Sequence, residues 1–217
     1  DRRINVGDDI SDADLAHVIQ TAHQRGFKVL LKPQLNLSDD PNHWRGEIGT
    51  AFTTEEQWQA WFQAYGAWIT YYAELADKNE VEILSIGVEL LSTTHRKEDW
   101  LQIIRAVRQR YRGHLTYASH PDPVFRVKGD FTRIDWWDAL AYIGVDVYYP
   151  LTTKNDPTVD ELKRAWTEKG YLAQLEGVSQ RFNRPILFTE LGYRSLDGTN
   201  KVPGAWQTKG TIDLREQ

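Results

Sequence analysis

The sequence predicts an α/β fold in which parallel strands alternate with long helices, and more specifically a (β/α)8 barrel of the TIM type. Three observations point there. Five short apolar runs, Phe27–Leu31, Ile83–Leu90, Leu115–Ser119, Tyr142–Tyr149 and Ile186–Tyr193, are separated by segments of helical periodicity, the alternation that produces parallel strands with right-handed crossovers. The runs are almost continuously apolar, as strands covered on both faces must be. Polar residues gather where the runs end, at Lys32 and Gln34, Glu89, Ser119 and His120, Asp146 and Tyr148, and Glu190; a barrel draws its functional side chains from the carboxyl ends of several strands. A doubly wound nucleotide fold would carry G-x-G-x-x-G or a P-loop after a strand, and neither is present. Five strands fall short of the eight that close a barrel. Residues 1–217 are therefore expected to form a single, incomplete barrel domain.

Each element has a local reason. Leu15, Val18, Ile19 and Ala22 recur at helical spacing after a Ser11/Asp12 cap, and Gly26 stops the pattern before the first strand. A polar loop from Asn36 to Asn42 leads to Trp44-Arg45-Gly46. Thr53 and Thr54, with Glu56, then open a long helix whose Trp58, Trp61, Phe62, Tyr65, Trp68, Ile69, Tyr72 and Leu75 share one face. After the strand ending at Glu89, a helix from about Glu98 carries Leu101, Ile104, Val107 and Tyr111 to a stop at Gly113. A helical turn over Trp136 to Leu140 precedes the fourth strand, and a helix over Val159 to Arg181, interrupted near Gly170, precedes the fifth. The tail from Leu196 is rich in Gly, Thr and Asn and is expected to begin another helix at Ile212.

Composition narrows the function classes. With 217 residues, 41% apolar and 12% aromatic content, the chain can bury a sizeable core. A net charge of -5, with Lys and Arg scattered, offers no basic stripe for a phosphate backbone, so a nucleic-acid partner is not expected. Cys is absent, which excludes disulfides, zinc–thiolate sites and a thiol nucleophile but does not fix the compartment. No apolar run is long enough to span a membrane, and Asp1-Arg2-Arg3 is neither a leader nor an initiator methionine, so the natural N-terminus is expected upstream. The histidines His17, His23, His43, His95, His114 and His120 lack H-E-x-x-H spacing. Leu196-Asp197-Gly198-Thr199-Asn200 lacks a regular carboxylate series and reads as a turn rather than a calcium loop. No metal or cofactor is expected, and Ser85, Ser92 and Ser119 have no nucleophile-elbow context.

Two strands each end in a glutamate, Ile86-Gly87-Val88-Glu89-Leu90 and Phe188-Thr189-Glu190-Leu191. A charge at the rim of an apolar sheet has its protonation set by desolvation and neighbours. Across a glycosidic bond one carboxyl must be protonated to donate to the leaving oxygen, and the other ionised to attack the anomeric carbon. Each glutamate alone reads equally well as a salt-bridged strand end. Together, beside nine Trp, ten Tyr and seven Phe, they favour catalysis. By strand alternation Tyr148 points the same way as Asp146 and is the better candidate than Tyr149 for a hydroxyl steadying Glu190, although a core ring remains the alternative. Trp44 and Arg45 sit in a loop and are candidates for stacking on a sugar and for binding hydroxyls or a carboxylate; loop packing with a surface ion pair is the alternative. Of the adjacent Trp136 and Trp137, one is expected in the core and the other at the cleft edge. Trp206 is a candidate to close the cleft near Glu190, and His120 a candidate sugar contact.

In Leu31-Lys32-Pro33, Trp44-Arg45-Gly46-Glu47-Ile48, Ile86-Gly87-Val88-Glu89-Leu90, Tyr142-Ile143-Gly144-Val145-Asp146-Val147-Tyr148 and Phe188-Thr189-Glu190-Leu191-Gly192-Tyr193-Arg194-Ser195, the chain resembles glycoside hydrolase family 113 of clan A, from about Asp12 to Gln217. The characterised members of that family are mainly endo-β-1,4-mannanases. The resemblance implies that the chain holds barrel strands 3 to 7, with Glu89 as acid/base and Glu190 as nucleophile. It implies a retaining, endo-acting, cofactor-free hydrolase of a β-1,4-mannan-type polysaccharide or oligosaccharide. The strand ends and loops named above give Lys32, Gln34, Trp44, Arg45, His120, Asp146, Tyr148 and Trp206 as the candidate substrate-binding residues, and a monomer without a membrane partner is expected. Two departures stand out: Val88 replaces the Asn that usually binds the sugar 2-hydroxyl, and Gln34 stands where many relatives have His. A carbohydrate-binding barrel without catalysis, and a clan A enzyme of glucan or xylan specificity, remain open alternatives.

Overall fold

The computed structural model describes residues 10–37, 42–121, 130–205 and 209–215. Five helices and five strands alternate in the order α1 (Asp12–Gln24), β1 (Leu30–Leu31), α2 (Glu55–Lys78), β2 (Ile83–Val88), α3 (Lys97–Arg108), β3 (His114–Ser119), β4 (Ile143–Val147), α4 (Val159–Glu168), α5 (Tyr171–Phe182) and β5 (Ile186–Leu191). Strand order follows chain order, and the recorded pairs are parallel. The α/β expectation therefore holds, with five parallel strands. No described helix is long and apolar enough to cross a membrane. The chain divides into two compact units, one running to Tyr117 and including Ile134–Tyr142, the other formed by Ala118–Arg133 and the chain from Ile143 onward.

In the first unit, Ser11 caps α1 by accepting the Asp14 N–H at 3.2 Å. The first strand is shorter than its apolar run. Phe27 is 65% exposed, and the Val29 N–H donates to the Glu82 carboxylate at 2.8 Å, so only Leu30 and Leu31 pair with Ile83 and Leu84. Thr54 opens α2 in a capping box closed by Gln57 rather than Glu56, because Gln57 holds the third helical position. The Gln57 amide oxygen takes the Thr53 and Thr54 N–H groups at 2.7 and 3.2 Å. The helix then buries Trp61, Phe62, Tyr65, Trp68, Ile69, Ala73 and Ala76.

Trp100 of α3, Tyr117 of β3, Trp136 and Trp137 are all 0% exposed. Both adjacent tryptophans are thus core residues, correcting the expectation of one at a cleft edge. The segment is a 3-10 turn over Trp137–Ala139, with Trp136 as its cap, and the two rings lie 5.9 Å apart at 35°. Trp136 stacks on Trp100 at 5.2 Å.

In the second unit, the end of β3 pairs with β4 through Ala118↔Gly144 and Ser119↔Val145. A bulge between Val145 and Asp146 shifts the β4–β5 register so that Asp146 stands opposite Glu190. Every residue of β4 is buried, whereas β5 closes the strand order and exposes Phe188 by 41% and Leu191 by 59%. Tyr149 stacks on Tyr171 at 4.0 Å, anchoring α5. The expected interruption near Gly170 is a complete break between α4 and α5, with Gly170 at φ 76. The helix expected at Ile212 does not form; Ile212 instead makes an antiparallel bridge with Leu196.

Gly170 gives a clean test of backbone conformation, since an added Cβ would meet nothing within 4 Å. Gly170→Ala is expected to destabilise by about 1 kcal/mol through the left-handed backbone alone. Urea denaturation measures it, with an unchanged dependence on denaturant concentration expected.

Candidate active site

Glu89 lies in the first unit, one residue beyond β2, with φ at 49°. The other described non-glycine residues with positive φ are Glu80 and Asn183. Both follow or cap a helix end, where a left-handed residue is common. Glu89 ends a strand, so its conformation is a local strain of the kind that persists only where the surroundings enforce it.

The surroundings do so through a ring of hydrogen bonds on the following turn. The Leu90 N–H donates to the Tyr117 hydroxyl at 2.8 Å. The Leu90 carbonyl accepts from the Thr93 N–H at 2.9 Å and its hydroxyl at 2.8 Å. Two buried indoles then donate to the chain, Trp100 to the Thr93 carbonyl at 3.1 Å and Trp136 to the Thr94 carbonyl at 3.0 Å. Ser92 ties this turn to the preceding loop by donating to the Gly46 carbonyl at 2.7 Å.

That loop carries Trp44 and Arg45. The Arg45 guanidinium sits 3.9 Å from the Glu89 carboxylate, an ion pair too long for a direct hydrogen bond, and both side chains are largely buried. The Trp44 indole lies over Gly46 so closely that a Cβ there would come within 2.5 Å of it. Trp44 thus packs its own loop while staying partly exposed. Lys32 is half-buried and Gln34 exposed beyond β1, with the Gln34 amide 3.5 Å from the Asn36 side chain.

Behind the turn, Arg96 joins the start of α3 to that of α2. It donates to Glu55 at 2.8 and 2.5 Å and to the buried Asp99 at 2.6 Å, and its guanidinium lies 5.3 Å from the centre of the Trp58 ring. The hydrogen bonds from Arg96, and then Gln59, hold the Glu55 carboxyl down at about 2.

In the second unit, Glu190 accepts a hydrogen bond from the Tyr148 hydroxyl at 2.8 Å. Tyr149 is fully buried against Trp166 and Tyr171, so Tyr148 is the tyrosine that reaches Glu190, as strand alternation predicts. Asp146 differs from its expected role. It is 0% exposed and accepts from the Thr189 hydroxyl at 2.6 Å; Thr189 is the extra residue of the β5 bulge, which sets Glu190 opposite Asp146. His120 is 8% exposed; its N–H donates to Asp130 at 2.8 Å and its Nδ1 lies 3.0 Å from the Pro121 carbonyl. That setting fits a satisfied polar residue better than a sugar contact. Trp206 lies outside the described residues.

The loops after β4 and β5 are laced by Asn200, whose side-chain oxygen accepts from the Thr152 N–H and hydroxyl at 3.0 and 2.6 Å. Tyr193 donates to the Tyr149 carbonyl at 3.0 Å, and burial pushes its phenol up to about 12. Sequence reasoning missed Tyr117, Thr189 and Asn200. Only Tyr117 left a signal: a tyrosine inside a strand buried on both faces must find a partner for its hydroxyl.

Residues 4–217 match the family model of Glycoside Hydrolase Family 113. Among solved structures, a GH113 β-1,4-mannanase is similar at a TM-score of 0.79 and 29% identity, over 95% of this chain and 60% of that one. The GH113 β-mannanase AaManA from Alicyclobacillus acidocaldarius, in complex with ManMIm, gives 0.80 and 28% over 100% of this chain and 64% of its own. A fungal β-1,4-galactanase, at 12% identity and a TM-score of 0.52 over 89% of this chain and 61% of its own, shares the fold alone. The chain thus spans 60% and 64% of the two mannanases. No curated protein matches it.

The Arg96 clamp predicts a pH dependence. A carboxyl held at about 2 in the folded chain and 4.5 otherwise contributes stability above about 4.5 that is lost as pH falls toward 2. Arg96→Gln should therefore destabilise at neutral pH, where it also leaves buried Asp99 without its guanidinium, and by less near pH 2. Urea midpoints of both proteins at pH 7 and near pH 2 measure the difference; equal losses at both would remove Glu55 from the account.

Proposed function

Because the chain belongs to glycoside hydrolase family 113, we propose that it carries the catalytic centre of a retaining, endo-acting hydrolase of β-1,4-mannan-type polysaccharide, on the strand 3 to 7 portion of a (β/α)8 barrel. Two solved relatives described as β-mannanases support the substrate class. The observation that carries the assignment of roles is the pair of strand-end glutamates in different chemical settings. Glu190 receives a phenolic hydrogen bond at 2.8 Å, which orients its carboxylate for attack. Glu89 sits in a strained turn beside Arg45, the placement of a group that must hold one position while exchanging a proton.

In this reading Glu190 attacks the anomeric carbon as Glu89 protonates the departing oxygen, giving a glycosyl ester on Glu190. Glu89 then takes a proton from water, which displaces the sugar with net retention. The mechanism requires the two carboxyls about 5 to 5.5 Å apart. Trp44 offers an indole face and Arg45 and Lys32 offer donors to the sugar, with Gln34 beyond them. Val88 is 2% exposed and donates nothing to a 2-hydroxyl, so that contact falls to another side chain. No metal or cofactor enters the scheme, and the working unit is taken as a monomer.

Val88 is also the observation that favours the second reading, a sugar-binding barrel without turnover. Incubation of the protein with mannan, glucan and xylan separates the two readings: hydrolysis of mannan is expected, and binding without hydrolysis would select the second. Glu190→Gln should abolish turnover with the circular dichroism spectrum unchanged. Glu89→Gln should lower it by roughly 10²- to 10⁴-fold, the range of general acid–base catalysis. Tyr148→Phe should lower kcat by about 10- to 100-fold, the equivalent of one hydrogen bond to a charged group at about 1.5–3 kcal/mol.

A further inference from the structure

We propose that Tyr117 is the positioning residue for the acid/base Glu89, an inference that rests on the reading of Glu89 given above. A residue at φ 49 turns the chain out of the parallel ladder, so the N–H that follows it needs an acceptor elsewhere. Leu90 is 1% exposed, and water is not at hand to serve. The Tyr117 hydroxyl accepts that N–H at 2.8 Å.

The ring behind the hydroxyl is itself immobilised. It lies at the place where a Cβ on Gly87 would sit, 2.8 Å from the nearest ring carbon, with Trp100 at 3.0 Å from the same point. Trp100 and Trp136 each meet it edge-on with centroids 5.4 Å away, and Trp137 lies at 6.1 Å. Tyr117 thus holds the strand two residues before Glu89 through packing and one residue after it through a hydrogen bond. With both flanks fixed, the left-handed turn directs the carboxyl to one position. The absence of a side chain at Gly87 has the same origin, since any substituent there would displace the ring.

Tyr117→Phe keeps the ring and deletes the acceptor. The test uses the protein carrying this chain and a series of aryl β-mannobiosides, from a dinitrophenyl leaving group, which departs without protonation, to phenyl, which needs it. If Tyr117 acts through the acid, kcat/KM of the variant should fall roughly tenfold or more for the phenyl substrate, a part of the general-acid contribution, and less than about threefold for the dinitrophenyl one. Gly87→Ala, which crowds the same ring and so shifts its hydroxyl away from the Leu90 N–H without deleting it, should show the same dependence and serves if Tyr117→Phe does not fold. A uniform loss across the series, or no loss, overturns the proposal while leaving the mannanase reading intact. Failure of the wild-type protein to cleave any member would overturn both.

Discussion

Setting a carboxylate at the end of an apolar strand removes it from most of its water, and the arrangement around both glutamates follows from meeting that loss in two ways. At Glu89 the strand breaks into a left-handed turn, a guanidinium stands at 3.9 Å, and the backbone groups freed by the turn are taken up by buried phenol, indole and threonine side chains. At Glu190 the strand continues for one residue, a phenol donates to the carboxylate, and a bulge at Thr189 in the same strand sets Glu190 opposite a buried aspartate. Trp100, Trp136 and Tyr117 pack the core of the first unit, but their polar atoms are spent on the few residues around Glu89. Their packing and their polar contacts cannot be separated, because an indole rotated to fill space differently would abandon a buried carbonyl.

The fold was legible because period and punctuation agree. Alternating apolar runs and amphipathic helices located all five strands, and Ser11, Thr54 and Gly170 marked helix ends that the structure keeps. Where the reading failed, a tertiary partner intervened. The first strand lost Phe27 to Val29 because Glu82, distant in sequence, takes the Val29 N–H. Ile212 pairs with Leu196 instead of starting a helix. Trp136 stands outside the 3-10 turn as its cap, with its ring stacked on Trp100, while Trp137 lies within the turn, so the two neighbours are not bound by helical spacing and both are buried.

The surroundings of the candidate site were legible in part for the same reason. Glu89, Glu190 and Tyr148 follow from strand direction and alternation, which are local. Asp146 was read as a sugar contact from its place near a strand end, but every residue of β4 is buried and Asp146 accepts from the Thr189 hydroxyl; that degree of cover comes from neighbours distant in sequence. Arg45 was named as a binder of hydroxyls or a carboxylate, and the geometry adds that the carboxylate beside it is Glu89. Val88 is sealed in the core, so the departure from the usual Asn is not repaired from that position. The left-handed backbone of Glu89 itself has no sequence signature, since glutamate rarely adopts it.

The central claim is that Glu190 forms a covalent bond to the sugar while Glu89 handles the proton. A 2-deoxy-2-fluoro-β-mannosyl fluoride slows the release step and leaves its sugar on the nucleophile, and peptide mapping by mass spectrometry locates it. A single sugar on the peptide containing Glu190, absent when a competing oligosaccharide protects the site, is the predicted result. A label on Glu89 or any other residue, or turnover of mannan with inversion at the anomeric carbon and no label, would contradict the account.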